Sequence, residues 1–275
     1  MRRLMAAIVV AGTVQAAQAA DLPDFSALRG PVGISRGVVN WQGFYAGGQA
    51  GYGSADMNFA GSNSSMIAAL LANTAIESEM NVSSWPLLGG KTNTHHSQVG
   101  GFVGYNSQWD DVVLGVEANY MHGTFTGASV SAPVSRGMTL TSDSLYHIVT
   151  VNSAKSVSIS DMGSVRARAG YVWGNFMPYV FGGVALGRGN IYSSASVSDR
   201  KGADSGAASI APPATVSASD GISGKMLYGY TAGIGTEAML FGNVFARAEW
   251  EYIRFVNAGA DVNINTVRGG LGYKF

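Results

Sequence analysis

Apolar and polar side chains alternate at period two in eight segments of this chain. In the first segment, 44–53, Phe44, Ala46 and Tyr52 fall on one face, and Gln49 falls among glycines on the other. The same alternation recurs at 99–109, 112–121, 164–173, 177–188, 229–238, 244–252 and 266–275. Period-two alternation predicts β-strands with one apolar face. Each segment has about ten residues, the length with which a tilted strand crosses a bilayer.

The connections between these predicted strands alternate between short and long. Tight turns are expected near 108–110, 174–175 and 241–243, and long polar loops at about 60–97, 124–162, 190–224 and 256–264. Short turns on one side and long loops on the other are typical of transmembrane barrels, and an even number of strands closes a sheet without free edges. The pattern predicts an all-β fold, an eight-stranded antiparallel up-and-down transmembrane β-barrel. A soluble β-sandwich is the rival interpretation.

Two segments are open to more than one interpretation. In 177–188, either Val180 and Val184 or Tyr179 and Phe181 face outward, because both sets are apolar. Within the first long loop, residues 65–81 could form a short helix.

The N-terminal sequence predicts export. A short positively charged start precedes an apolar stretch that is too short to span a membrane, and Ala17-Gln18-Ala19 offers a small-residue cleavage site. A buried N-terminal helix would instead need caps and polar-face residues that this segment lacks. We therefore expect a signal peptide at 1–19, a periplasmic leader at 20–40 and the barrel at 41–275.

Composition narrows the class of protein. Charged residues make up only 12% of the chain, about half the usual share of a soluble domain. Once Arg2 and Arg3 are removed with the signal peptide, 15 of the 17 basic residues remain against 17 acidic ones, so nucleic acid is not an expected partner. The sequence contains no cysteine, which excludes disulfides, thiolate nucleophiles and cysteine zinc sites.

The few charged residues in the predicted strands share the glycine-bearing face. They are Glu117, Arg166, Arg168, Glu237, Arg247, Glu249, Glu251 and Arg268. An arginine exposed to lipid near mid-membrane costs about 2–4 kcal/mol, so this face must line the barrel interior. Four acids against four bases favour a neutral salt-bridge network, although an ion pathway or a catalytic carboxylate pair remains the alternative. Eight strands enclose a lumen that side chains can fill, which argues against a wide pore.

Signals of catalysis or metal binding are weak. His95 and His96 form an adjacent pair on a predicted loop, which is more often solvated than metal-bound. "GISRG" (33–37) matches a nucleophile-elbow pattern and "SDRK" (198–201) matches S-x-x-K, but neither has the strand, helix or companion motifs that this chemistry needs. An enzyme acting at the outer rim through His122 is the remaining catalytic hypothesis. We predict no catalytic residues, no metal and no cofactor.

Seven of the eight strand segments resemble a known family. The matching stretches are "NWQGFYAGGQAGYG" (40–53), "GGFVGYN" (100–106), "LGVEANY" (114–120), "GSVRARAGY" (163–171), "YVFGGVALG" (179–187), "YTAGIGTEA" (230–238) and "VRGGLGYKF" (267–275). In this order they resemble the small porin-like, or outer-membrane immunogenic protein, family of Gram-negative bacteria. The resemblance implies an OmpA-type eight-stranded barrel in the outer membrane. It also implies that the terminal residues Gly269, Leu271, Tyr273 and Phe275 form the signal read by the barrel assembly machinery.

The sequence thus predicts a non-enzymatic barrel with a structural envelope role. Its expected partners are outer-membrane lipids, the assembly machinery and host or environmental ligands that contact the loops. The residues expected to form the lumen network are Glu117, Arg166, Arg168, Glu237, Arg247, Glu249 and Arg268. A narrow porin that passes small solutes or ions is the alternative function.

Overall fold

The computed structural model describes residues 39–85 and 88–275. The predicted signal peptide, nearly all of the predicted leader and the "GISRG" motif lie outside the described residues. The strands are β1 (Gly43–Asn58), β2 (Lys91–Trp109), β3 (Val112–Val130), β4 (Val134–Thr139), β5 (Tyr146–Tyr171), β6 (Phe176–Gly202), β7 (Ala214–Phe241), β8 (Val244–Phe255) and β9 (Asp261–Lys274). The helices are α1 (Ser64–Leu70), α2 (Ala75–Met80) and α3 (Ser205–Ile210), with a 3-10 turn at Val82–Ser84.

Eight of the nine strands close into an antiparallel ring. The order is β3-β2-β1-β9-β8-β7-β6-β5, and pairing of β3 with β5 completes the circle. The short strand β4 lies outside this ring and pairs with the upper part of β5. The predicted eight-stranded barrel is therefore confirmed. Within the described ranges, no helix has the length and apolar character needed to cross a membrane.

The period-two pattern assigns the two faces of the ring correctly. The charged side chains of the membrane-crossing segments point inward together with glycines such as Gly183. The aliphatic and aromatic residues of the alternate positions point outward, together with a few glycines such as Gly182. The structure also decides the facing of β6, because Val180 is 57% exposed whereas Tyr179 is only 4% exposed. Tyr179 and Phe181 point inward, where arginine side chains pack over their rings.

Several strands continue far beyond the membrane-crossing lengths expected from the sequence. β5, β6 and β7 contain 26, 27 and 28 residues, so strand structure occupies much of the segments 124–162 and 190–224 that were predicted as loops. The polar composition of these segments hid a second period-two pattern. Its buried members include Val149, Val151 and Val197, which alternate with serine, threonine and asparagine on the opposite face.

The first long loop folds over the inner side of these extended strands. The helix predicted at 65–81 is present as two short helices, α1 and α2, separated by a break in which Asn73 has a φ of 63°. Their apolar side chains pack against β5 and β6 in a cluster of Ile67, Leu71, Val82, Trp85, Val149, Val151, Ala195 and Val197. We call residues 59–85 the cap, since they cover this end of the barrel interior.

Candidate functional site

Strand register brings the predicted charged residues together inside the barrel. Glu117 lies directly opposite Arg166 across β3 and β5, and Glu249 lies opposite Arg268 across β8 and β9. Glu237 lies opposite Arg247 across β7 and β8 in the same way. The structure therefore places an acid beside a base on three pairs of neighbouring strands.

Glu117 lies at the centre of this network. Its carboxylate accepts hydrogen bonds from Arg166 Nε at 3.0 Å, from Arg247 NH2 at 2.6 Å and from Arg168 NH1 at 3.2 Å. The Tyr45 hydroxyl donates to the same carboxylate at 2.8 Å. Three guanidinium groups thus converge on one fully buried acid.

Glu249 and Glu251 complete the network on the opposite wall. Arg268 joins them, with its Nε 2.9 Å from Glu249 Oε2 and its NH1 2.8 Å from Glu251 Oε2. Arg166 NH2 reaches Glu249 Oε1 at 2.7 Å and so links the two walls across the lumen. All seven residues expected in the network lie within it. Glu251, which the sequence placed on the same face, is a further member.

Aromatic rings that face inward pack against the arginine side chains. These contacts were not predicted from the sequence. The guanidinium carbon of Arg247 lies 3.6 Å from the centre of the Phe102 ring, that of Arg168 lies 3.9 Å from the Tyr179 ring, and that of Arg166 lies 4.1 Å from the Phe181 ring. Cation–π contacts of this kind compensate part of the cost of burying a charge. The sequence placed Phe102 on the glycine-bearing face of its segment but left the facing of Tyr179 and Phe181 open, so only the first of these contacts had a signal in the sequence.

Apolar layers lie on both sides of the charge network. Toward the short turns, Trp41, Phe102, Val113, Met177 and Phe245 belong to one buried cluster. Toward the cap, a second cluster fills the upper barrel with Met57, Phe59, Phe125, Val157, Ile159, Leu227, Phe255, Val262 and Ile264. The side chains of the charge network are at most 3% exposed, so the charges are enclosed rather than exposed along a channel.

Polar contacts hold the cap to the barrel. Asn63 Nδ2 donates to Ser153 Oγ at 2.7 Å, and Lys155 Nζ donates to the carbonyl oxygens of Gly259 at 2.7 Å and Ser62 at 3.3 Å. The Glu79 carboxylate accepts from the backbone N–H of Thr141, a hydrogen bond that keeps the pKa of Glu79 below its ordinary value. The cap is thus attached to β5 and to the loop between β4 and β5.

His122, the residue of the enzyme hypothesis, lies on the outer surface. Its Nδ1 is 2.8 Å from Asp161 Oδ1, but the nearby Ser160 hydroxyl donates to Asp161 Oδ2 at 2.9 Å. A nucleophilic serine would have to bond the other ring nitrogen, and no such hydrogen bond occurs within 39–85 and 88–275. This geometry gives no support to a catalytic triad at His122.

The other histidines and the S-x-x-K match have ordinary surroundings. His147 directs one ring nitrogen to Asp143 Oδ2 at 3.0 Å and the other to Asp199 Oδ2 at 2.9 Å, so neither nitrogen is free for a metal ion. His95 stacks on Tyr52 with ring centres 6.0 Å apart. Ser198 accepts a hydrogen bond from Thr215 Oγ1 at 3.3 Å within the sheet. Among the described residues no group of three or more His, Asp or Glu side chains could hold a metal ion.

A closed antiparallel ring with an apolar outer wall and a packed, charge-neutral interior defines a small transmembrane β-barrel. Named relatives agree with this class. The chain is 26% identical to the 25 kDa outer-membrane immunogenic protein of Brucella ovis over 178 residues, which cover 65% of the chain and 63% of that relative. It is 26% identical over the full length of both chains to the 31 kDa outer-membrane immunogenic protein of Brucella melitensis.

Two solved outer-membrane structures are also similar to the chain. One is Ail, the attachment invasion locus protein of Yersinia pestis, with 14% identity, a TM-score of 0.34 and coverage of 85% of this chain and 99% of Ail. The other is Neisserial surface protein A, with 12% identity, a TM-score of 0.36 and coverage of 84% and 97%. No family model matches the chain. The protein is an outer-membrane β-barrel similar to the outer-membrane immunogenic proteins.

Proposed function

We propose that this protein is a closed, non-catalytic barrel that supports a surface platform outside the cell. The proposal rests on the difference in strand length and connections between the two ends of the barrel. At one end the strands are joined by tight turns, and at the other β5, β6 and β7 extend far beyond the membrane-crossing length. Outer-membrane barrels keep short turns in the periplasm and long connections outside. The extended strands with the cap would then form an extracellular surface for host or environmental ligands.

Labelling of single cysteines tests this orientation, because the native chain contains no cysteine. A membrane-impermeant maleimide should modify Ser217→Cys, in the upper part of β7, on intact cells. The matched variant Asn175→Cys, in the turn between β5 and β6, should react only after the outer membrane is permeabilised. Labelling of Asn175→Cys on intact cells, with Ser217→Cys protected, would reverse the proposed orientation.

Planar-bilayer recording separates a closed barrel from the narrow porin. Each lumen charge has an ion-pair partner and lies between two apolar layers, so the purified, refolded protein should show no current steps above the lipid baseline. Refolding is checked by heat-dependent migration on gels, which a soluble sandwich would not show. Reproducible steps from correctly folded protein would establish the porin function instead.

We also infer that the C-terminal residues direct assembly. Leu271, Tyr273 and Phe275 are exposed on the outer wall, where another protein can contact them, and Gly269 shares their face. Deleting Phe275 should leave secretion intact and sharply lower the amount of folded barrel in the outer membrane. Phe275→Tyr, which keeps an aromatic ring, is the control and should insert normally. Normal surface levels after the deletion would refute this role.

A further inference from the structure

Among the described residues, the upper part of β7 has a neighbouring strand on only one side. β8 pairs with β7 no further up than Gly229, and Asn257 then caps the strand through Tyr228 N at 2.9 Å and Met226 O at 3.1 Å. On its other side β7 continues to pair with β6 up to Ala214. Within the part of the chain that the structure describes, residues 214–223 therefore have one paired edge and one open edge.

This open edge lacks the features that usually prevent strand pairing. Exposed edge strands are commonly protected by lysine, proline or a bulge within the strand. Between Ala214 and Ser223 the sequence carries one charged residue, Asp220, and no proline, since Pro212 and Pro213 precede the strand. The register shift between β6 and β7 lies at the lower end of this stretch, between Ile222 and Lys225 of β7, so residues 214–222 contain no bulge. Along this stretch of about ten residues, every second residue therefore offers an unpaired backbone donor and acceptor to another strand.

The side chains of the edge define what would fit beside it. Val216, Ala218, Asp220 and Ile222 share the face that β6 directs toward the interior. Val216 and Ile222 are still 45% and 44% exposed, because no further strand covers them. A partner strand with apolar residues at alternate positions would bury them, and a basic residue near Asp220 would match its charge.

We propose that residues 214–223 of β7 bind an extended polypeptide segment by addition of an antiparallel strand to this edge. The segment is neutral or basic and alternates apolar with polar side chains. Backbone hydrogen bonds provide affinity in this mode of recognition, and the alternate side chains provide selectivity. This inference rests on the proposed function, because the edge can meet such a segment only if the extended strands lie outside the cell.

A second copy in the same membrane does not satisfy this geometry. In two barrels inserted with the same orientation, both β7 strands run in the same direction relative to the membrane normal. Antiparallel pairing requires opposite directions, so the two edges cannot form that ladder. The partner strand therefore comes from a different polypeptide and not from a second copy in the same membrane.

Amide hydrogen exchange on the full chain in lipid nanodiscs tests the proposal. The probe is a synthetic peptide of about ten residues that alternates valine with threonine and carries one lysine near its centre. Exchange should slow about tenfold or more at alternate residues of 214–223, while the β8 amides remain unchanged. A peptide with proline at every second position cannot form the ladder and should have no effect.

Two neighbouring variants, Ser217→Pro and Ala218→Pro, sharpen the test, because adjacent N–H groups in a strand point to opposite edges. One of the two prolines removes a hydrogen bond to β6, and the other removes only a donor on the open edge. The variant that loses only the open-edge donor should stay folded, but the peptide should no longer protect its amides from exchange. Unchanged exchange at all ten residues, or equal protection by the proline peptide, would overturn strand addition. Protection that depends on protein concentration without peptide would show self-pairing and would also overturn it. If Ser217→Cys is labelled on intact cells while the peptide has no effect, strand addition fails and the extracellular platform remains.

Discussion

Replacing Glu117 with glutamine should lower the free energy of unfolding by about 3–5 kcal/mol, the usual cost of removing one partner from a buried ion pair. The substitution keeps the size of the side chain and removes only its charge. It leaves Arg166, Arg168 and Arg247 with one carboxylate fewer in a lumen that is otherwise neutral. Urea titration in phospholipid vesicles, with the folded fraction read from heat-dependent gel migration, measures the effect.

The matched control is Asp110→Asn, at the exposed turn between β2 and β3. Asp110 has a φ of 52°, a conformation that asparagine tolerates equally well, so the same loss of charge should change stability by no more than about 0.5 kcal/mol. The double variant Glu117→Gln/Arg168→Gln restores neutrality and should be more stable than the two single effects together predict. A Glu117→Gln protein as stable as Asp110→Asn would show that the network contributes little to the fold.

Gly183→Ala should destabilise the barrel by roughly 1–3 kcal/mol or more, because its methyl group would overlap backbone atoms. A Cβ at this position would lie 2.1 Å from the carbonyl oxygen of Val165 and 2.6 Å from the Cα of Arg166. Neither atom can move without shifting β5, which also carries Arg166 into the charge network. The same urea titration should record the loss.

The adjacent residue provides the control. A Cβ at Gly182 would come no closer than 3.7 Å to the carbonyl oxygen of Thr231 and would point outward. Gly182→Ala should therefore leave stability unchanged or raise it slightly, since alanine restricts the unfolded chain more than glycine does. Equal losses for the two variants would mean that close approach of β5 and β6 at Gly183 is not what requires glycine.

The sequence pattern predicted the membrane-crossing strands but did not predict that β5, β6 and β7 continue beyond the membrane, and the difference has a physical reason. Inside the membrane the lipid requires an apolar outer wall, so the alternation in a segment such as 112–121 is unambiguous. Above the membrane both faces can be polar, and the serine-rich stretches of β5, β6 and β7 look like loops. In the extended parts of β5 and β6, the inner face differs from the outer face because the cap packs on it and buries Val149 and Val197. The short helix α3 and strand β4 were likewise not anticipated from their polar sequences.

By itself, the sequence determined which side chains face lipid and which face the lumen in seven of the eight membrane-crossing segments, because a period of two leaves no third position. It also determined that the lumen charges balance. The tertiary structure alone decided that Glu117 takes three arginine partners and that Tyr179 and Phe181 turn inward beneath guanidinium groups. It alone decided that the upper part of β7 has one open edge among the described strands. These features depend on strand register and closure of the ring, which join residues more than a hundred positions apart, such as Glu117 and Arg247. Local alternation carries no information about such distant pairings.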